Sequence, residues 1–165
     1  MDTKELERVY RVKAMMHRFF SLYESKNTNF SLVKELLYKD GFEWLSPSGN
    51  LVGIAAFEDS FNQLNKEWGH SHRPFEMDVK LIDNTKAILS FNYIYQHVQD
   101  GAIVLHAKGH YEIECIDNGG EFPQIKKCNL TLLEMIEVGE FIDMLAMNTT
   151  LYQDYKLKVE QISKK

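Results

Sequence analysis

The stretch FEWLSPSGNLVG, Phe42 to Gly53, sets a sharp reversal between two short apolar runs. Proline fixes φ and glycine admits a positive φ, so Ser46-Pro47-Ser48-Gly49-Asn50 reads as a tight turn. Phe42 to Leu45 is then expected as a short strand and Leu51-Val52 as its return. Upstream, Leu6, Val9, Val12, Met16, Phe19, Phe20 and Tyr23 recur at three- and four-residue intervals and predict a helix from Glu5 to Glu24. SKNTN breaks it. Asn29 or Ser31 can cap a second helix, Leu32 to Tyr38, which Asp40-Gly41 ends. Downstream, Gly53 precedes a third helix with Ile54, Phe57, Phe61 and Leu64 on one face.

Beyond GHSHRP the period changes to two. Phe75, Met77, Val79 and Leu81 alternate with Glu76, Asp78 and Lys80. DNTK turns the chain, Ala87 to Val98 is a second strand, and Asp100-Gly101 is a strong hairpin signal. Ala102 to Ile116 and Ile125 to Ile136 complete four long antiparallel strands. Helical spacing returns in residues 138–165 through Val138, Phe141, Leu145, Tyr152, Tyr155, Val159 and Ile162. The expectation is an α+β domain over residues 1–137, a curved, mainly antiparallel sheet wrapped on three N-terminal helices, followed by a C-terminal helical extension.

The totals narrow the function classes. With 165 residues, 44% apolar, the chain can build one substantial core. A net charge of −5 with scattered Lys and Arg supplies no basic stripe, so no nucleic-acid partner is expected. No apolar run approaches the ~18–20 residues that span a bilayer, and MDTKELERVYRVK is too charged for a signal h-region. The expected location is cytoplasmic, with no membrane partner. Cys115 and Cys128 are too few and too far apart for a zinc or CxxC motif and read as buried thiols, a cross-strand disulfide being the alternative. His70 and His72 form an HxH pair with no third ligand at a telling interval, so that stretch reads as a rim loop and no metal is expected. His17 reads as a core or edge residue of the first helix. Phosphate loops, nucleophile elbows and dinucleotide fingerprints are lacking, and no cofactor is expected.

RFFSLYE in the first helix, FEWLSPSGNLVGIAAFEDSF through the turn and third helix, and KAILSF with GHYEIECIDNGG in the sheet resemble the NTF2-like superfamily, which includes ketosteroid isomerases, SnoaL-type cyclases and scytalone dehydratase. The resemblance covers about Glu5 to Ile136. It implies a cone with an apolar pocket open at one end, a small hydrophobic or aromatic ligand, and commonly a homodimer formed through the sheet. Trp44 is then expected in the pocket wall, plain core packing being the alternative. Phe19, Phe20 and Phe61 join it from the helices, and Phe91, Tyr93, Tyr95 and His106 from the sheet.

Steroid-isomerase chemistry needs a carboxylate base, a tyrosine and a protonated carboxyl. The resemblance puts Ser46 at the base position and Phe19 at the tyrosine, leaving only Glu112 acidic. A serine hydroxyl is no general base at neutral pH, so that reaction is rejected. A different set arises if Asp100-Gly101 is a two-residue turn. Tyr95 then stands opposite His106, Tyr93 opposite Lys108, Phe91 opposite His110 and Leu89 opposite Glu112. Turned inward, this face is a polar-tipped aromatic pocket in which His110 and Glu112 could form an acid–base pair, since imidazole titrates near neutrality. Such a site would resemble the scytalone dehydratase branch. Turned outward, it is a solvated or dimer-forming surface. A bulge near Gly109 could switch faces partway. Two functions remain open: a SnoaL-type protein with a ligand pocket and cofactor-free proton transfer, and a non-catalytic module that docks a protein through the sheet and the C-terminal helix.

Overall fold

The computed structural model describes residues 2–25, 28–64 and 69–137. The described residues up to Met135 form one compact unit. The helix expected from Val138 onward lies outside the described residues.

Helix α1 spans Thr3–Tyr23. Its start is fixed by a capping box. The Glu5 backbone N–H donates to Asp2 Oδ1 at 2.8 Å, and the Asp2 N–H donates to Glu5 Oε2 at 2.9 Å. Val9, Val12, Met15, Met16, Phe19 and Phe20 form its buried face. Helix α2, Phe30–Lys34, is capped by Asn29, which accepts from the Ser31 N–H. It ends four residues before the expected Tyr38. The chain there turns to the sheet instead: Tyr38 N–H donates to the Ile125 carbonyl and Ile125 N–H to that of Leu36, both at 2.8 Å.

The opening stretch forms strands β1, Glu43–Ser46, and β2, Gly49–Val52, joined through Pro47-Ser48. Ser46 Oγ donates to the Gly49 carbonyl at 2.9 Å and accepts from Ser48 Oγ at the same distance. The serine before the proline thus closes the turn. Gly53, at φ 83°, redirects the chain into α3, Ile54–Gln63.

Strands β3 (Gly69–Leu81), β4 (Lys86–Gln99), β5 (Ala102–Ile116) and β6 (Gln124–Met135) are antiparallel neighbours. The short β1 adds in parallel to β6, giving the order β2-β1-β6-β5-β4-β3. Cys115 and Cys128 are buried free thiols. Arg11 ties α1 to the β5–β6 loop by donating to the Asp117 carboxylate at 3.2 and 3.3 Å and to the Gly120 carbonyl at 2.7 Å.

Two bulges decide which side chains meet the helices. Asp100 and Gly101, at φ 51° and 77°, make the expected turn, and Gln99 does face Ala102. Val98 pairs with Ile103, but His97 pairs with Leu105, so Val104 is an extra residue. Every later pairing moves by one: Tyr95 faces Ala107, Tyr93 faces Gly109, Phe91 faces Tyr111 and Leu89 faces Ile113. The expected mixed face is therefore corrected. Its aromatics turn toward the helices, and Lys108, His110 and Glu112 occupy the other side, because side-chain direction has period two. The second bulge, between Phe75 and Asp78, carries Glu76 at φ 54°. It reverses the parity of β3, so Phe75 points away from the helices while His70, His72 and Pro74 share the face of Tyr95 and Tyr93.

Candidate functional site

A cavity of about 470 Å³ opens between α1, the β1–β2 turn and the helix-facing side of β3 to β6. Phe19, Phe20, Trp44, Tyr93 and Tyr95, all expected in the wall, do line it. Phe61 lies behind, against Tyr23 and Phe30. Phe91 is stacked under Tyr111 at 5.1 Å and is likewise core rather than wall. His106 is buried on the opposite sheet face. Trp44 serves both readings: it is 9% exposed, packs on Phe19 and Phe57, and still borders the cavity.

His110 and Glu112 do not border it. His110 Nδ1–H donates to Asn92 Oδ1 at 2.9 Å, and Asn92 Nδ2 donates to Glu76 Oε2 at 2.7 Å, a chain along the outer face. Glu112 is exposed on the same side. The Val104 bulge separates this pair from the aromatic wall.

The imidazoles at the cavity come instead from β3, as His70 and His72, and the end of α1 supplies a carboxylate that holds one of them. Glu24 is the C-cap of α1. Its Oε1 accepts from the His72 backbone N–H and from His72 Nδ1, the latter at 2.9 Å. The His72 ring stacks on Phe20 with centroids 4.6 Å apart and planes 9° apart. Ring and carboxylate are thus fixed together, with side-chain exposures of 9% and 22%. Since a carboxylate only accepts, Nδ1 carries the proton, and in the neutral ring Nε2 is the nitrogen with the lone pair. A carboxylate-oriented imidazole at a cavity wall is the arrangement of a general base.

The remaining polarity is neutral. Burial pushes the phenols of Tyr23 and Tyr93 up to about 12 and raises those of Tyr95 and Tyr111 as well, so all four stay protonated donors. The cavity lining contains no Lys, Arg, Asp or Glu among the described residues. No group of three or more His, Cys, Asp or Glu side chains suited to a metal occurs among them either. No helix among the described residues is long and apolar enough to cross a membrane.

His70 also borders the cavity, and its pKa is lowered by burial first, then by His97 and His72, against an opposing pull from Glu24. Its neutral form is thus favoured in the folded chain. The stability this contributes is complete above the unfolded value near 6.5 and is lost as pH falls toward the lower folded value. His97, lowered by burial, acts in the same sense. The urea midpoint is expected to fall between pH 7.5 and 5, and to fall less in His70→Phe. An equal fall in both proteins contradicts the assignment.

Sequence reasoning missed Glu24, His70 and His72 as a group. The HxH pair was visible, but the bulge at Glu76 hid that it continues β3 on the inner face.

No protein-family model matches the chain, and no curated protein matches it in sequence. Solved structures do match in shape. A Novosphingobium aromaticivorans protein provisionally assigned as a scytalone dehydratase superposes with a TM-score of 0.72 at 15% identity, covering 83% of this chain and 91% of that one. An NTF2-like protein with a cystatin-like fold from the same organism gives 0.66 at 15%, covering 79% and 85%. The CamKII hub homology domain of Chlamydomonas reinhardtii gives 0.64 at 11%, covering 76% and 98%. The fold is therefore the NTF2-like, cystatin-like α+β fold. An assigned enzyme and a hub domain share it, so the fold alone does not choose a function.

Proposed function

We propose that the cavity binds a small, neutral, flat organic molecule, and that His72, held by Glu24, moves a proton on it. The observation that carries this is His72, held by Glu24 and set in a wall rich in aromatics that contains, among the described residues, no acidic or basic side chain besides histidine. Flat rings of Phe19, Phe20 and Trp44 favour a planar guest through stacking and area burial. The lack of a lining cation disfavours carboxylates and phosphates, whose desolvation nothing would offset.

The chemistry follows from the groups. His72 Nε2 takes a proton from a carbon next to a carbonyl. The C–H electron pair becomes a carbon–carbon π bond, and charge moves to the oxygen, where neutral donors stabilise it. The imidazolium then returns its proton, either to another carbon, which isomerises the guest, or to a departing hydroxyl, which leaves as water. The likeness in shape to a protein assigned as a dehydratase fits the second course.

The test is calorimetric titration with 2-tetralone, a neutral bicyclic ketone with acidic protons at C1. Saturable binding with Kd below about 1 mM is expected, a modest value for so small a ligand. Ala107→Phe, which fills the cavity at a buried lining position, should weaken binding at least tenfold while keeping the circular dichroism spectrum. Undetectable binding to the folded wild type, or equal binding to both proteins, would rule out this pocket as the site.

A further inference from the structure

His70 and His72 stand two residues apart on one face of β3, and their rings have different partners. Tyr95 Oη lies 2.6 Å from His70 Nδ1. One of the two must donate. The phenol makes no other hydrogen bond among the described residues, so if Nδ1–H were the donor the phenolic proton would have only cavity water to accept it. With Tyr95 donating, Nδ1 is the lone-pair nitrogen and the ring proton sits on Nε2. That Nε2 is buried, and it has no partner among the described residues. A buried N–H without an acceptor costs about 1–3 kcal/mol, a cost that an acceptor entering the cavity His70 borders would relieve.

We infer that His70, locked as the Nε2–H tautomer by Tyr95, is the donor that holds the guest's oxygen, while His72 presents the opposite tautomer and accepts its proton. This rests on the proton-transfer reading of the same site. Tyr95 is then a positioning residue, acting through His70. Alternate residues of a strand are spaced by roughly 6.6 Å. That matches a guest in which a carbonyl oxygen and a removable proton lie on one edge of a ring system. The His70 ring also stacks on His97 at 4.9 Å, 20° from parallel, and lies within electrostatic reach of His72 and Glu24. Burial and the neighbouring imidazoles lower its pKa, which keeps it a neutral donor rather than a cation.

The tautomers can be read with no ligand present. In long-range proton–nitrogen spectra of histidine-labelled protein at pH 7.5, His70 should show a protonated Nε2 and a bare Nδ1, and His72 the reverse. Tyr95→Phe should turn His70 into a tautomer mixture and leave His72 unchanged. For oxygen recognition, calorimetry compares 2-acetylnaphthalene with 2-ethylnaphthalene, which differ by a carbonyl at nearly constant shape. The affinity ratio of ketone to hydrocarbon should fall about tenfold in His70→Leu, as expected for one lost hydrogen bond, and be kept in His70→Gln, whose amide N–H reaches a similar place. A protonated Nδ1 on His70, or an unchanged ratio in His70→Leu, overturns the inference. Deuterium exchange into 2-tetralone reads the proton-transfer step separately: if exchange is absent while tautomers and ratio are as stated, only the general-base reading fails.

Discussion

His72→Ala should slow deuterium exchange at C1 of bound 2-tetralone by about 10²- to 10⁴-fold, the usual worth of a positioned general base. The substitution removes the lining imidazole proposed to take the proton and leaves the aromatic wall in place. Binding should weaken much less than the rate, because Phe20 and Trp44 still supply the contact area. Glu24→Ala should cost less, about 10- to 100-fold, the range seen when an orienting partner of a functional histidine is removed. Glu24→Gln should be milder still. The single Oε1 atom accepts from both the His72 backbone N–H and Nδ1, and an amide oxygen can do the same, so only the charge is lost. This ordering separates orientation from charge. A Glu24→Gln defect as large as that of His72→Ala would mean the charge itself is essential.

Gly109→Val should destabilise the fold by about 3 kcal/mol and distort the cavity. A Cβ on Gly109 would lie 2.3 Å from Tyr93 Oη and 2.4 Å from two carbons of the ring, far inside van der Waals contact. The ring of Tyr93 therefore lies across the strand at the one position without a side chain, 4.7 Å from the Tyr111 ring. Adding a side chain must push a nine-tenths-buried phenol off the sheet, and overpacking of this kind costs about 1–3 kcal/mol or more. Since ring carbons as well as the hydroxyl collide, Tyr93→Phe should not rescue the variant. Tyr93→Ala should, in part, and the double variant should be more stable than the sum of the two single losses predicts. Urea unfolding of the four proteins measures this. Strict additivity would show that the two positions do not compete for the same space.

The helices, the hairpin at Pro47 and the four long strands were legible because each depends on local pattern. The stripe of α1, the turn residues after Ser46 and the Asp100-Gly101 hairpin all determine structure within a few residues. The NTF2-like resemblance implied a hollow with Trp44 in its wall, Phe19 and Phe20 were expected beside it, and Tyr93 and Tyr95 were expected there if their face of the sheet turned inward; all five line the cavity. The polar half of the site was not legible because it turns on two single-residue bulges. One extra residue at Val104 sent His110 and Glu112 outward, and one near Glu76 brought His70 and His72 inward. A bulge leaves little trace in composition or in hydrophobic period, and it inverts every side chain beyond it. Glu24 was hidden differently. It reads as the last residue of a helix, and only the fold shows that this end meets β3.

The most direct measurement is proton exchange by the wild-type chain. 2-Tetralone is dissolved in D₂O at pH 7.5 and the loss of its C1 proton signal is followed by NMR with increasing ketone, using urea-unfolded protein and His72→Ala as references. A saturable acceleration that both references lack is the predicted result. Bound ketone exchanging at the rate of buffer alone would contradict a general base at His72.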